Sequence, residues 1–343
     1  VSATLSSNSD IVTKLLSFDN TLTGKTVQKY VNTAPLLYKA LNCVFVIYKP
    51  ESIHFENVRY TIISNLCRDL NESHQRPPNK HITILGETNK NMRVVVRDSY
   101  ADNTLVTGPR YQAQDFRLGA SNIMKMDTCG VLICGINSGN TILHKLKQSK
   151  TTRRYRLKGL LGQATDTYFL TGKIVEKSTY EHVKRGHLDV LCSSMQSSHQ
   201  KKMFELCGVD VQSQAAYELA VKGLLRPANS RIPMLYTIKC VDFSPPEFSL
   251  EIVCINEYEM YLKSIIHELG MQLRSTATCT KILCIQDGLF NINHALLKKH
   301  WDLENILHNM HTCRQILEEN EHLTNQDSPT LIEHNENSTD STA

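Results

Sequence analysis

Hydrophobic positions recur along this chain with the spacings of both strands and helices. Residues 42–48 form an apolar run that ends before Lys49-Pro50, a pattern that predicts a strand. The next segment carries apolar residues every four positions, which indicates one face of an amphipathic helix. These residues are Val58, Ile62, Leu66 and Leu70.

The same patterns predict more strands than helices in the rest of the chain. Helical faces begin near Leu188, Ala216, Leu262 and Trp301. Because no regular alternation of strands and helices appears, an α+β domain is favoured, with a mixed, mainly antiparallel central sheet flanked by helices. Strands are predicted at residues 81–85, 92–97, 129–136 and 153–161, and a hairpin from 232–243 and 247–255.

Composition divides the chain into three parts. Residues 1–40 are rich in Ser and Thr and predict a loosely ordered N-terminal extension, whereas residues 41–315 form the predicted folded domain. Residues 316–343 are acidic and polar, which predicts a disordered tail. The formal net charge is +4, so the folded part without its tail is more basic than the whole. No apolar run approaches the roughly 20 residues of a transmembrane helix, so no membrane span is expected.

The cysteines do not suggest a metal site. Cys129 and Cys134, like Cys279 and Cys284, are spaced as C-x4-C, but both pairs lie in apolar stretches. Zinc sites usually have tighter pairs in polar loops. We therefore interpret the eleven cysteines as buried hydrophobic residues in a reducing compartment, and we expect no metal or cofactor.

A dense basic run is the main candidate for a binding surface. Seven cations and no acid occur between residues 145 and 158, a density that suits a phosphate backbone. The alternative is a solvated basic face without a ligand. The seven are Lys145, Lys147, Lys150, Arg153, Arg154, Arg156 and Lys158.

The predicted strand at 153–161 separates these charges from an aromatic residue. Alternation places Arg154, Arg156 and Lys158 on one face and Tyr155 on the other, together with leucines. An inward tyrosine beside a cationic face is suited to stacking against an extruded base. The alternative is an ordinary core tyrosine.

Several motifs together resemble the TruB family of RNA pseudouridine synthases over about residues 41–310. The central block is the most specific part, and other segments resemble the animal mitochondrial branch, such as Ser198-His199-Gln200-Lys201 and Pro245-Pro246-Glu247-Phe248. The central block comprises Gly130-Val131-Leu132, Arg154-Tyr155-Arg156, Leu161-Gly162-Gln163-Ala164-Thr165-Asp166-Thr167 and Gly172-Lys173-Ile174-Val175. Around it lie Tyr48-Lys49-Pro50, the segment 216–223 and the segment 265–270.

This resemblance implies the pseudouridine synthase fold and a reaction on structured RNA. A uridine is extruded into a cleft and an aspartate acts as nucleophile. The uracil detaches from the ribose, rotates and rejoins it through carbon, and neither metal nor cofactor takes part. A tyrosine, here Tyr155, lies against the base, and an arginine pairs with the aspartate. The resemblance also implies mitochondrial localisation and an RNA partner among tRNA, mitochondrial mRNA or rRNA. It predicts RNA contacts from Lys49 and from the basic run, without a C-terminal RNA-binding accessory domain.

The chain departs from the family at the catalytic positions. The aspartate position, five residues before Gly130, holds Lys125, and Asn122 stands near the place of the family histidine. Lys263 replaces the partner arginine and loses its bidentate fork. Leu283-Cys284 replaces a basic pair. At neutral pH an ammonium has no lone pair with which to attack unless burial lowers its pKa greatly.

Three functions follow from these residues. The favoured hypothesis is an RNA-binding homologue whose isomerase activity is lost or impaired. The second is an active synthase in tRNA or mRNA with Asp127 as nucleophile, since a two-residue shift along a strand keeps the same facing. The third is a protein-interaction subunit without RNA binding, which the basic run argues against.

Overall fold

The computed structural model describes residues 33–73, 80–86, 91–100, 103–122, 124–222, 224–225, 231–320 and 330–331. Most of the predicted N-terminal extension and of the acidic tail therefore lies outside the described residues. Helix α1 (Ala34–Ala40), with Ala34 buried, lies within the last residues of the predicted extension. The last long helix ends at Glu319, just beyond the predicted boundary at 315.

An eight-stranded mixed sheet forms the centre of the domain. Its neighbours pair antiparallel except β5 and β12, which run parallel. The predicted fold class, an α+β domain with a mainly antiparallel sheet, is confirmed. The main path runs β1 (Val44–Lys49), β5 (Thr128–Ile136), β12 (Ala277–Asp287), β6 (Arg153–Leu161), β11 (Glu247–Ile255) and β10 (Met234–Ser244), with β4 (Leu118–Ala120) beside β5 and β13 (Phe290–Asn291) beside β12.

Smaller two-stranded sheets lie outside this path. Each pairs antiparallel, and the first matches the strands predicted at 81–85 and 92–97. They are β2 (Lys80–Leu85) with β3 (Arg93–Asp98), β7 (Gln163–Thr165) with β8 (Ile174–Lys177), and β9 (Leu224–Leu225) with β14 (Thr330–Leu331).

Helices cover the sheet where the hydrophobic pattern places their apolar faces. After α1 the helices are α2 (Phe55–Glu72), α3 (Thr104–Thr107), α4 (Gly139–Gln148), α5 (Arg185–Leu206), α6 (Gln214–Lys222), α7 (Glu259–Gln272) and α8 (Leu303–Glu319). The apolar face predicted for α2 is buried at Val58, Ile62, Leu66 and Leu70. Packing joins α4 to β5, α5 to β10, α7 to β12 and α8 to β1.

The hydrophobic pattern does not predict the central strand β12. Its pairing with β6 has two register shifts, between Cys279 and Lys281 and between Cys284 and Gln286. An extra residue at each irregularity reverses the facing of the side chains that follow. Regular alternation, the signal used to find strands, is therefore broken in this segment.

Strand register brings the chain before β5 close to the middle of β6. Thr128 pairs with Ile282 on one side of β12, and Tyr155 pairs with Cys284 on the other. Gly130 is required at this junction because its φ is 121° and a Cβ would overlap the carbonyl oxygen of Cys284. The loop that precedes Thr128 thus lies near Tyr155.

All eleven cysteines are free, and nine of them are buried. Burial raises the pKa of Cys134 and of the thiols on the central strands, which keeps them protonated. Their interpretation as buried hydrophobic residues is confirmed for those nine; Cys67 and Cys207 are only half-buried.

Candidate functional site

A cavity of about 100 Å³ opens where three parts of the chain meet. The loop before β5, the strand β6 and the turn between β11 and α7 contribute its walls. Lys125 and Tyr155, which the family resemblance places at the catalytic centre, both line it. The polar lining residues are Asn122, Lys125, Thr128, Tyr155, Glu257, Tyr258 and Glu259.

Tyr155 is held by a buried carboxylate. Its side chain is only 1% exposed, and its hydroxyl donates to Glu257 Oε1 at 2.8 Å. Burial, followed by the charge of Glu257, raises the pKa of Tyr155 well above its ordinary value. The phenol therefore stays neutral and is fixed in orientation.

Arg153 joins Glu257 to a second carboxylate. Its guanidinium contacts Glu257 Oε1 at 2.7 Å and Asp287 Oδ1 at 2.9 Å, and Asp287 also accepts from Ser121 at 2.9 Å. Burial alone would lower the pKa of Arg153, but the two carboxylates raise it. This network ties β6, the end of β12 and the loop before β5 to the turn that precedes α7.

Asp127 belongs to a second charged cluster. Its carboxylate accepts from Lys263 Nζ, and the same ammonium contacts Glu259 Oε1 at 3.0 Å. Glu259 Oε2 accepts from the hydroxyl of Thr128 at 2.9 Å. The Lys263 ammonium also lies 4.8 Å from the ring centroid of Phe169, a cation–π contact. Two carboxylates thus share one lysine.

Lys263 stays charged in this cluster. Burial would lower the pKa of Lys263, but the hydrogen bonds that its ammonium donates to Asp127 and Glu259 raise it above its ordinary value. The Lys263 side chain is 6% exposed, whereas that of Asp127 is 29% exposed. Among the residues described around the cavity, Lys125 and Thr128 line it, but Asp127, between them in sequence, does not.

The structure does not expose Lys49 for a phosphate contact, contrary to its predicted role. The side chain is completely buried, and its ammonium donates to the carbonyl oxygens of Thr128 at 2.8 Å and Pro50 at 3.1 Å. Burial lowers its pKa. Lys49 instead fixes the first residue of β5, directly after Asp127.

Arg153 likewise leaves the predicted phosphate-binding surface. Its side chain is 17% exposed and both of its contacts are to buried carboxylates. The remaining cations of β6 follow the predicted alternation, with Tyr155 and Leu157 buried on the opposite face. Because successive side chains of a strand point to opposite faces, Arg153 faces the buried carboxylates whereas Arg154, Arg156 and Lys158 point to the other side.

The surface charges lie on α4 and β6. Lys145 and Lys147 are exposed in the last turn of α4, and Lys158 is exposed on β6. Arg154 and Arg156 share the carboxylate of Glu251, at 3.7 and 3.3 Å. Arg154, Arg156 and Lys158 lie on the face of β6 opposite to Tyr155, so these three cations do not line the cavity.

Sequence reasoning missed the acidic half of the site. Glu257 and Asp287 lie 104 and 134 residues from Arg153, which both of them bind, and no local pattern marks such partners. Glu259 lies four residues before Lys263 but 131 residues from Thr128, its other partner. The closest signal is the pair Glu257 and Glu259 immediately before a helical face. Acidic residues are common at a helix N-terminus for electrostatic reasons alone, so the pair was not distinctive.

The described part of the chain holds no cluster of three or more His, Cys, Asp or Glu side chains suited to a metal ion. None of its helices is long and apolar enough to cross a membrane.

Comparison with known proteins identifies the family. The model described as "TruB family pseudouridylate synthase (N terminal domain)" matches residues 117–260, which include most of the cavity. "Pseudouridylate synthase TRUB2, mitochondrial" of Xenopus tropicalis is 38% identical over 82% of this chain and 88% of its own length. The chain belongs to the TruB family. The Homo sapiens protein of the same name is 36% identical over 78% of this chain and 82% of its own length.

The TruB relatives also confirm the mitochondrial prediction, since the names of the four animal proteins at 33–38% identity place them in mitochondria. The protein is accordingly mitochondrial. One solved structure, "Structure of H/ACA RNP bound to a substrate RNA containing 2'-deoxyuridine", aligns with 78% of this chain at 12% identity and a TM-score of 0.40. The chain spans 56% of that structure's chain. At this level the similarity does not bear on the assignment.

Proposed function

We propose that this protein is a mitochondrial RNA-binding member of the TruB family whose isomerase activity is lost or impaired. The observation that carries the proposal is the cavity beside Tyr155, where Lys125 stands on the wall in place of the family aspartate. Asn122, near the place of the family histidine, lines the same cavity.

Lysine at this position cannot replace the missing nucleophile. Lys125 is exposed, and an exposed ammonium carries no lone pair for attack on a ribose or a uracil. A carboxylate there would also stabilise positive charge, whereas an ammonium repels it. The substitution therefore removes both the attacking group and the favourable electrostatics.

The nearest carboxylate in sequence is engaged elsewhere. Asp127 is bound by Lys263, and Lys263 is also bound by Glu259. A nucleophile must sit within a fraction of an ångström of its working position. Displacement of Asp127 into the cavity would leave the mostly buried Lys263 with a single partner, which opposes that movement.

RNA binding is supported by the exposed cations on α4 and β6. Lys145, Lys147 and Lys158 project into solvent, and Arg154 and Arg156 together face only one carboxylate. Neutralised phosphates release counterions, so such a surface binds RNA with strong salt dependence. We infer structured RNA as the ligand, either tRNA or mitochondrial mRNA or rRNA.

A second candidate function has one specific observation in its favour. Lys263 occupies the family arginine position, and its contact with Asp127 reproduces the pairing of a cation with the family nucleophile. In this alternative the protein converts uridine to pseudouridine in tRNA or mRNA, with Asp127 as the nucleophile.

Binding and conversion are measured on the same samples to test the proposal. Unmodified transcripts of mitochondrial tRNA are titrated with protein at several salt concentrations, and then digested for pseudouridine analysis by mass spectrometry. The expected result is salt-dependent binding with little or no pseudouridine. Efficient multiple-turnover conversion would support the second candidate, and absence of binding at low salt would contradict both.

A further inference from the structure

Glu257 has one carboxylate oxygen that the network around Tyr155 does not use. Oε1 accepts from the hydroxyl of Tyr155 and from Arg153. Oε2 is buried and has no hydrogen-bond partner among the described residues. The Glu257 side chain is 1% exposed, and the residue lines the cavity.

A buried carboxylate oxygen without a donor is unfavourable, and native proteins rarely keep one without a reason. Arg153, itself held by Asp287, fixes the position of the Glu257 carboxylate. The buried thiol of Cys254 also lies against this carboxylate; burial and the charge of Glu257 raise its pKa, so it stays protonated, but a thiol is only a weak donor. The arrangement therefore suits a ligand that brings its own N–H group.

We propose that Glu257 is the specificity-determining residue of this cavity and accepts the imide N3–H of a uracil that lies against Tyr155. This inference rests on the proposed RNA-binding function. Lys125, on the wall of the same cavity, donates to a carbonyl oxygen next to that N–H. Cytosine presents a lone pair at N3, which a carboxylate repels, so the site discriminates against it.

Uridine and cytidine dodecamers, each labelled with a fluorophore, provide the test by fluorescence anisotropy. The wild-type protein is expected to bind the uridine oligomer about tenfold more tightly, a difference of about 1.4 kcal/mol, because only uracil donates an N–H to the charged acceptor. Glu257→Gln keeps an acceptor for Tyr155 and Arg153 but places an NH₂ group at the other position. In this variant we expect the ratio of the affinities for uridine and cytidine to fall to about one or to reverse.

Glu251→Gln is the matched control. Glu251 also binds two arginines, but on the opposite face of the sheet. Its loss is expected to tighten binding of both oligomers equally and to leave the tenfold ratio unchanged. If Glu257→Gln lowers the thermal midpoint strongly, Glu257→Asp retains the charge while withdrawing it by one methylene, and is expected to give a reduced ratio.

The outcomes separate this inference from the function on which it rests. An equal uridine preference in wild type and Glu257→Gln, or no preference in wild type, overturns the role of Glu257 but leaves RNA binding intact. Failure of the wild-type protein to bind either oligomer and structured RNA at low salt contradicts the proposed function itself.

Discussion

Lys263 and Asp127 form an ion pair across 136 residues of sequence, and they join α7 to the residue that precedes Thr128 at the start of β5. Glu259, one turn earlier on α7, binds the same ammonium. The pair therefore fixes the loop that carries Lys125 relative to the helix beside the cavity. It also determines whether a carboxylate is available for chemistry.

Removal of Lys263 is expected to destabilise the fold. Lys263→Met leaves two carboxylates without their shared cation, and we expect a loss of about 2–3 kcal/mol in urea unfolding, less than for a fully buried pair because Asp127 is partly exposed. Arg185→Met is the control, since Arg185 and Asp189 form an exposed pair at 3.7 Å. A loss below about 1 kcal/mol is expected there. Equal losses in the two variants would show that the Lys263 cluster contributes no more than a surface pair.

The raised pKa of Lys263 predicts how its contribution to the free energy of unfolding depends on pH. Because the pKa of Lys263 is raised in the folded state, its stabilising contribution is fully present below the ordinary value of 10.5 and is lost as the pH rises through the folded value. The difference in unfolding free energy between wild type and Lys263→Met should therefore stay constant at neutral and mildly basic pH. It should shrink only above about pH 10.5. A difference that shrinks near neutral pH would contradict the raised pKa.

Tyr155→Phe tests the network under the cavity. The change removes a hydrogen-bond donor to Glu257, so we expect a loss of about 1–2 kcal/mol in unfolding free energy. The aromatic ring stays in place and can still stack against a base. Tyr60→Phe is the comparison, because Tyr60 is 75% exposed, and its effect should be close to zero. No loss in Tyr155→Phe would mean that the hydroxyl of Tyr155 contributes nothing to the network.

The basic face of β6 should account for much of the salt dependence of RNA binding. Replacing Arg154, Arg156 and Lys158 together by Ala is expected to weaken binding. It should also lower the steepness of log K against log salt by up to about 2–3, because each neutralised phosphate contributes about 0.7–0.9. A double Lys145→Ala, Lys147→Ala variant measures the contribution of α4 separately. Unchanged affinity in the triple variant would exclude β6 as the RNA-binding surface.

The sequence was most informative about the direction of side chains within a single strand or helix, which depends only on residues close in sequence. Alternation along β6 correctly separated Tyr155 from Arg154, Arg156 and Lys158, and the spacing on α2 identified its buried face. The fold class followed from these patterns and from the family motifs. Local rules of this kind hold because each strand or helix has one fixed period.

The charges around the cavity could not be predicted in the same way. Arg153 belongs to the basic run by sequence but pairs with Glu257, in the turn before α7, and with Asp287, at the end of β12. Lys49 pairs with backbone carbonyls that no motif specifies. Whether a charge is buried depends on tertiary partners. Arg153 lies 104 and 134 residues from Glu257 and Asp287, and Lys49 lies 79 residues from Thr128.

Restoring the family residues tests whether Lys125 and Lys263 account for the proposed loss of isomerase activity. Lys125→Asp alone is expected to recover little pseudouridine formation, because Lys263 lacks the bidentate fork and remains shared with Asp127 and Glu259. Combining Lys125→Asp with Lys263→Arg should recover more, since a guanidinium can bind carboxylates through several donors. Single-turnover conversion of an unmodified tRNA transcript measures both. Equal activity of the single and double variants would argue against a role for the partner cation.

The most direct test of lost or impaired isomerase activity compares pseudouridine formed by wild type, Asp127→Asn and Lys125→Ala. Each protein is incubated in excess with unmodified mitochondrial tRNA and mRNA transcripts, and the RNA is digested and analysed by mass spectrometry. We predict little or no pseudouridine from all three, with RNA binding retained by the wild type. Robust wild-type conversion that disappears in Asp127→Asn and persists in Lys125→Ala would contradict this prediction and identify Asp127 as the nucleophile.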